Sequence, residues 1–128
     1  MGDKDYTLTN NDMEAKIAVL EAFLDRDDII GYVAARNTRR LQDASFEYAK
    51  MKADLLNKYG TDVLDDNGNP TGRVSLSPSD PHYKEVAEKL EKVSVIMHTV
   101  KIFVIPYDEV KNKLTGREIL QIDWMLDE

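Results

Sequence analysis

The chain of 128 residues contains no cysteine, which removes disulfides, thiolate nucleophiles, zinc–thiolate centres and iron–sulfur clusters together. Proline occurs four times and glycine six, so few positions force a helix or strand to stop. No apolar run approaches the about 20 residues that cross a bilayer; the longest, Val100 and Ile102–Ile105, is interrupted by Lys101. The opening "MGDKDYTLTNND" lacks the basic and apolar regions of a signal peptide, which implies a soluble, unexported protein. Basic residues are outnumbered, 17 against 24, for a net charge of -7. Such a balance repels nucleic acid and anionic membranes on average and favours basic partners. Direct nucleic-acid binding and a membrane role are therefore not expected.

What is present is hydrophobic periodicity. Residues 1–11 carry little of it and are expected to form a flexible tail or a short edge segment. Residues 12–128 are expected to fold as a single α+β domain, long enough to bury roughly two thirds of the unfolded surface. Asn10, Asn11 or Asp12 can cap a first helix, whose stripe is Met13, Ile17, Leu20 and Leu24. "DRDD" at 25–28 breaks the stripe and sets carboxylates where a second helix begins.

That second helix has the strongest pattern. Ala34, Leu41, Tyr48 and Leu55 lie seven apart, and Ile30, Asn37, Ala44 and Met51 interleave with them as the other core position of a heptad. The seam predicts one helix from about Ile29 to Lys58, closed by Gly60 as a C-cap. So long a helix in a small domain needs a partner along its length, either the first and last helices or a second copy of the chain.

"VLDDNGNPTGRVSLS" at 63–77 crowds oxygen-bearing side chains around a glycine. As an EF-hand loop starting at Asp65 it fails at both demanding places, with Pro70 where glycine is needed and Leu76 where a bidentate glutamate is needed. Asn67-Gly68 between alternating flanks is instead a hairpin signal, both residues tolerating positive φ. Beyond it, Asp80 and Pro81 start a third helix with the apolar face Tyr83, Val86, Ala87, Leu90 and Val93. "SVIMHTVKIFVIP" is rich in β-branched residues, apolar on both faces, and is expected to be a strand paired with the hairpin. "YDEVKNKL" suits a short helical turn. Thr115-Gly116-Arg117-Glu118 is a capping box opening a last helix through Leu126.

Candidate chemistry is thin. His82 and His98, the only histidines, lack a ligand spacing, and a solvated His82 and a strand His98 are the simpler reading. No Walker loop, dinucleotide turn or recognisable Ser-His-Asp set occurs, so neither catalytic residues, metal ligands nor a cofactor are assigned, and the chain is read as not an enzyme. A small hydrolase or a metal-dependent enzyme, with His82 or His98 acting beside nearby carboxylates, is the rival from that class. Arg36, Arg39 and Arg40 share a helical face and could grip a phosphate or an acidic partner surface, or could pair internally with Asp25, Asp27, Asp28 or Asp43. Asn37 breaks the heptad rule, either as a buried register-setting residue or at a boundary. Trp124 and Met125, among Asp123, Asp127 and Glu128, suit an interface anchor or a terminal core.

Four stretches together, "RNTRRL", "LNKYGTDVLDDNGNP", "DPHYKEVAEKLEKVSVIMHTVKIFVIPYDEV" and "LTGREILQIDWMLDE", resemble a family of short uncharacterised proteins encoded by tailed bacteriophages and prophages. The resemblance covers the chain from about Met13 and rests on turn and cap residues. It carries over no site residue, and implies a setting: a phage protein in the host bacterial cytoplasm. The expected fold is α+β, a long antiparallel helical layer packed with a small two- or three-stranded antiparallel sheet. The expected function is a non-enzymatic module that binds a phage or host protein or self-associates through its helices, with Arg36, Arg39, Arg40, Trp124 and Met125 as partner-binding candidates. The alternative is an inhibitor of a host or anti-phage defence protein whose acidic surface imitates nucleic acid.

Overall fold

The computed structural model describes residues 2–127, and among them the fold is α+β, with six helices, a three-stranded and a two-stranded sheet. Where one domain over 12–128 was expected, the chain divides into two compact units, one of Met1–Ser45 with Met97–Glu128, the other of Phe46–Ile96.

In the first unit, residues expected as a flexible tail form strand β1, Gly2–Thr9, so the edge-segment alternative describes them. It lies antiparallel to β4, Met97–Pro106, with Tyr6 opposite Val100 and Asp5 opposite Lys101. The strand foreseen at 94–106 therefore exists, but its partner is β1 and not the hairpin. Over its first part burial alternates, Val100, Ile102 and Val104 inward and Thr99 and Lys101 outward, the period-2 pattern of a sheet with one covered face, and toward its end Ile105 is buried as well. A short β5, Leu126–Asp127, joins β4 in parallel at Ile105 and Pro106, making the sheet mixed.

Helix α1, Asn10–Leu20, is capped by Thr9 and not by the asparagines: Asp12 N donates to Thr9 Oγ1 at 3.0 Å, and Thr9 N donates to the Asp12 carboxylate at 3.1 Å. This reciprocal box satisfies two orphan donors at once. Met13 and Leu20 are wholly buried, but the stripe ends in a 3-10 turn and Leu24 is exposed. Helix α2, Ile29–Ala44, begins at Asp28, which accepts from Gly31 N at 3.2 Å. Arg26 donates to the Asp28 carboxylate at 2.8 Å and to Lys113 O at 3.0 Å, and lies 3.4 Å from Glu118. The Arg26 guanidinium and the backbone amides of the helix start hold the Asp28 carboxyl at about 2, below its ordinary 3.8.

The single helix expected from 29 to 58 is broken at Ser45 (φ -101°, ψ 10°), whose hydroxyl donates back to Leu41 O at 2.7 Å. A serine competing for the backbone in this way ends a helix without glycine or proline. After the short α5, Tyr107–Val110, the capping box forms as expected: Thr115 N donates to Glu118 Oε1 at 2.9 Å and Glu118 N to Thr115 Oγ1 at 3.2 Å. The helix it opens, α6, Gly116–Ile122, ends short of the expected Leu126, and a 3-10 turn at Asp123–Met125 leads into β5. The core of this unit joins Met13, Leu20, Phe23, Ile30, Val33, Ala34, Leu41, Ile102, Ile105, Val110, Ile122 and Met125.

The second unit holds helix α3, Phe46–Tyr59, the hairpin β2 (Thr61–Leu64) and β3 (Pro70–Ser75), and helix α4, Tyr83–Ser94. The hairpin forms around Asn67-Gly68, though only Gly68 takes positive φ, at 80°. Asp65 N donates to Asn69 O and Gly68 N to Asp65 O, which makes a three-residue loop ending in a left-handed glycine. The Asp65 carboxylate accepts from Asn67 N and Asn69 N, both at 2.9 Å, an oxygen committed to the turn. Gly60 follows α3 without positive φ; its place is sterically determined, since a Cβ there would lie 2.5 Å from Leu56 O and from a Val74 methyl. Asp80 caps the turn before α4, accepting from His82 N at 2.8 Å, and the regular helix starts two residues after Pro81. Of the apolar face expected for α4 only Val86 is buried; Leu90 and Val93 are half-buried and Tyr83 and Ala87 exposed.

Candidate interaction surface

The five residues expected to meet a partner all fall in the first unit, and most are occupied inside it. In an antiparallel ladder alternate residues turn both backbone groups away from the neighbouring strand. On β4 those of Phe103 and Lys101 face an edge that β5 leaves open, and α2 closes it. Asn37, completely buried, donates to Phe103 O at 2.9 Å and accepts from Phe103 N at 2.8 Å. Its amide thus acts as one residue of a missing strand. One turn on, Arg40 donates to Lys101 O at 3.2 Å and pairs with Asp3 at 2.7 Å, and its guanidinium lowers the Asp3 carboxyl below the ordinary range. Arg36 donates to the Tyr32 hydroxyl at 3.0 Å and its guanidinium lies 4.6 Å from the Phe103 ring centre, a cation–π contact. Arg39 is exposed on the same helix.

Internal pairing of the arginine cluster therefore runs to Asp3 and not to the nearby acids at 25, 27, 28 and 43. Asp3 lies in the segment expected to be loose, so sequence proximity pointed to the wrong carboxylates. Asn37 takes the buried alternative, but its partner is a strand edge and not a second helix.

Met125 is completely buried in the first unit's core, which removes it as an exposed anchor. Trp124 is half-buried: its indole N–H donates to Gln121 O at 3.1 Å, its carbonyl accepts from the Tyr6 hydroxyl, and Lys16 Nζ lies 4.9 Å over its ring. It lines a shallow concavity of about 300 Å³ with Lys16, Val19 and Leu120; Leu120 is 81% exposed. His82 stacks on Tyr59 with ring centres 4.4 Å apart and lies 3.8 Å from Glu85, joining the end of α3 to the start of α4. His98 is half-buried on β4.

A half-open apolar surface lies on α3, which the unbroken heptad runs together with α2. Along the heptad seam Ile30, Ala34, Asn37 and Leu41 are completely buried and Tyr48 nearly so, whereas Met51 and Leu55 are only half-buried. Glu47, Lys50, Met51, Asp54 and Leu55 line a concavity of about 270 Å³ formed by this one helix alone. These positions recur at three and four residues, one stripe of a helix. Two apolar side chains thus lie in a ladder of alternating charge, with Lys50 and Asp54 3.0 Å apart. Of this unit's hydrophobic residues only Tyr48 and Val86 are buried, a thin core for about 50 residues.

Among the described residues no helix is long and apolar enough to cross a membrane. Compared with protein-family models, curated proteins and solved structures, the chain matches none.

Proposed function

We propose that this chain is a non-enzymatic protein-binding or self-associating module whose contact surface is the α3 stripe. One observation carries the reading: the heptad seam is buried from Ile30 to Leu41 on α2 and again at Tyr48, then left half-open at Met51 and Leu55, its last two positions on α3. An amphipathic helix gains most of its stability from the packing of its apolar face. A unit with so few buried side chains has more to gain from a partner there than the first unit, whose seam is already filled. The arginine cluster is a weaker candidate, because Arg40 and Arg36 are held by Asp3, Tyr32 and Phe103. The phage setting, in the host bacterial cytoplasm, rests on the resemblance of the four sequence stretches alone.

The test places a photo-crosslinking amino acid at Met51, and separately at Arg39, in the full chain expressed in its host. Adducts of defined mass with another polypeptide or with the chain itself are expected from position 51 and not from position 39. A monodisperse monomer in light scattering that forms no adduct from position 51 would overturn the reading.

A further inference from the structure

We infer that the occupant of the α3 stripe is a second copy of this chain, with the two α3 helices antiparallel about a two-fold axis; this rests on the proposed binding role of that surface. The order of charge along α3 selects that occupant. From the start of α3 to its end the stripe runs Glu47, Lys50, Asp54, Lys58, and all four are exposed. Glu47 and Lys58 are separated by three helical turns, about 16 Å at 1.5 Å per residue.

A two-fold axis running beside α3 at the level between Lys52 and Ala53 reverses the ladder onto itself. It sets Glu47 against Lys58 of the second copy and Lys58 against its Glu47. Lys50 then falls beside the second copy's Leu55 and Asp54, and Met51 and Leu55 of both chains meet at the centre. Glu47 and Lys58 oppose each other at both ends, Lys50 has Asp54 of the second copy as a near neighbour, and the apolar pair is covered by its own image, which is the self-complementarity an isologous interface needs. A parallel pairing in register would set Glu47 on Glu47 and Lys58 on Lys58, a like-charge arrangement. A partner of unrelated sequence would have to reproduce the reversed ladder; a second copy carries it by construction.

Sedimentation equilibrium of the full chain with charge-swapped variants tests this. The unsubstituted chain is expected to form a reversible dimer. Glu47→Lys alone and Lys58→Glu alone each set two like-charge pairs across the axis and are expected to weaken association roughly tenfold. Mixing the two variants restores association as a heterodimer, and the double variant carrying both swaps restores it as a homodimer. Recovery by mixing cannot arise from misfolding, since neither component changes. A chain that stays monomeric, or a dimer indifferent to both swaps, would overturn the antiparallel pairing. In the monomeric case an adduct from Met51 with a different protein would leave the binding-module reading standing, so the two failures are distinguishable.

Discussion

Asn37→Leu isolates the cost of leaving a strand edge without its partner. The side chains are close in size, so the substitution keeps the volume of a fully buried site and removes only the polar atoms. Phe103 N–H and C=O, now bonded to the amide at 2.8 and 2.9 Å, would be left unpaired in the interior. Each such group costs about 1–3 kcal/mol, partly offset by the more apolar leucine, for a net loss of about 3–4 kcal/mol. For a chain of this size that lowers Tm by about 10–20 °C. Asn37→Asp adds a check on sign. Its carboxylate can still accept from Phe103 N–H but cannot donate to Phe103 O, and burial raises its pKa above the ordinary carboxylate value. The deficit of Asn37→Asp is therefore full at neutral pH and shrinks as pH falls through that raised pKa, because the protonated acid supplies both a donor and an acceptor. Urea unfolding of both variants at neutral and acid pH reads this out. Equal stability of Asn37→Leu and the unsubstituted chain, or a deficit in Asn37→Asp that does not change with pH, would refute the edge-closing role.

Three further outcomes follow from the first unit. Gly31→Ala should destabilise by about 1–3 kcal/mol: a Cβ there would lie 2.0 Å from the Arg26 carbonyl oxygen, and this overpacking outweighs the about 1 kcal/mol that alanine gains in a helix; the denaturation midpoint measures it. Thr38→Val should leave stability unchanged or raise it by about 1 kcal/mol, because among the described residues the buried Thr38 hydroxyl has no partner; a loss above that size in thermal unfolding would contradict it. Asp28, lowered from 3.8 to about 2, contributes stability that is whole above about pH 4 and is lost as pH falls toward 2. The side chain is 26% exposed, so screening reduces the contribution to about 1–2 kcal/mol. Asp28→Asn should flatten that acid limb of an acid-unfolding curve.

Local signals were legible where they depend on neighbours in sequence. The Thr115–Glu118 box, the Asn67-Gly68 hairpin and the acidic start of α2 each rest on side chains within a few residues, and each formed. The features that escaped depend on distant partners. β1 reads as a polar tail because Asp3, Lys4 and Asp5 face outward or sit at the sheet edge; only pairing with β4, about 100 residues on, makes it a strand. The break at Ser45 is hidden because serine is no strong breaker, and its effect comes from one hydroxyl bond to Leu41 O. The heptad passes over that break without a change of period, so one seam looked like one helix. Burial then distinguishes its halves: the first is filled by a sheet edge that no helical pattern announces, the second stays half-open.

Hydrogen exchange tests this contrast most directly, by comparing amides of residues 29–44 and 46–59 in the full chain at low and high protein concentration. At low concentration the second segment should exchange faster, since its apolar stripe is only partly covered. Raising the concentration should protect residues 46–59 while leaving 29–44 unchanged, because association stabilises only the segment it covers. Equal protection of both segments at every concentration would contradict a half-open α3.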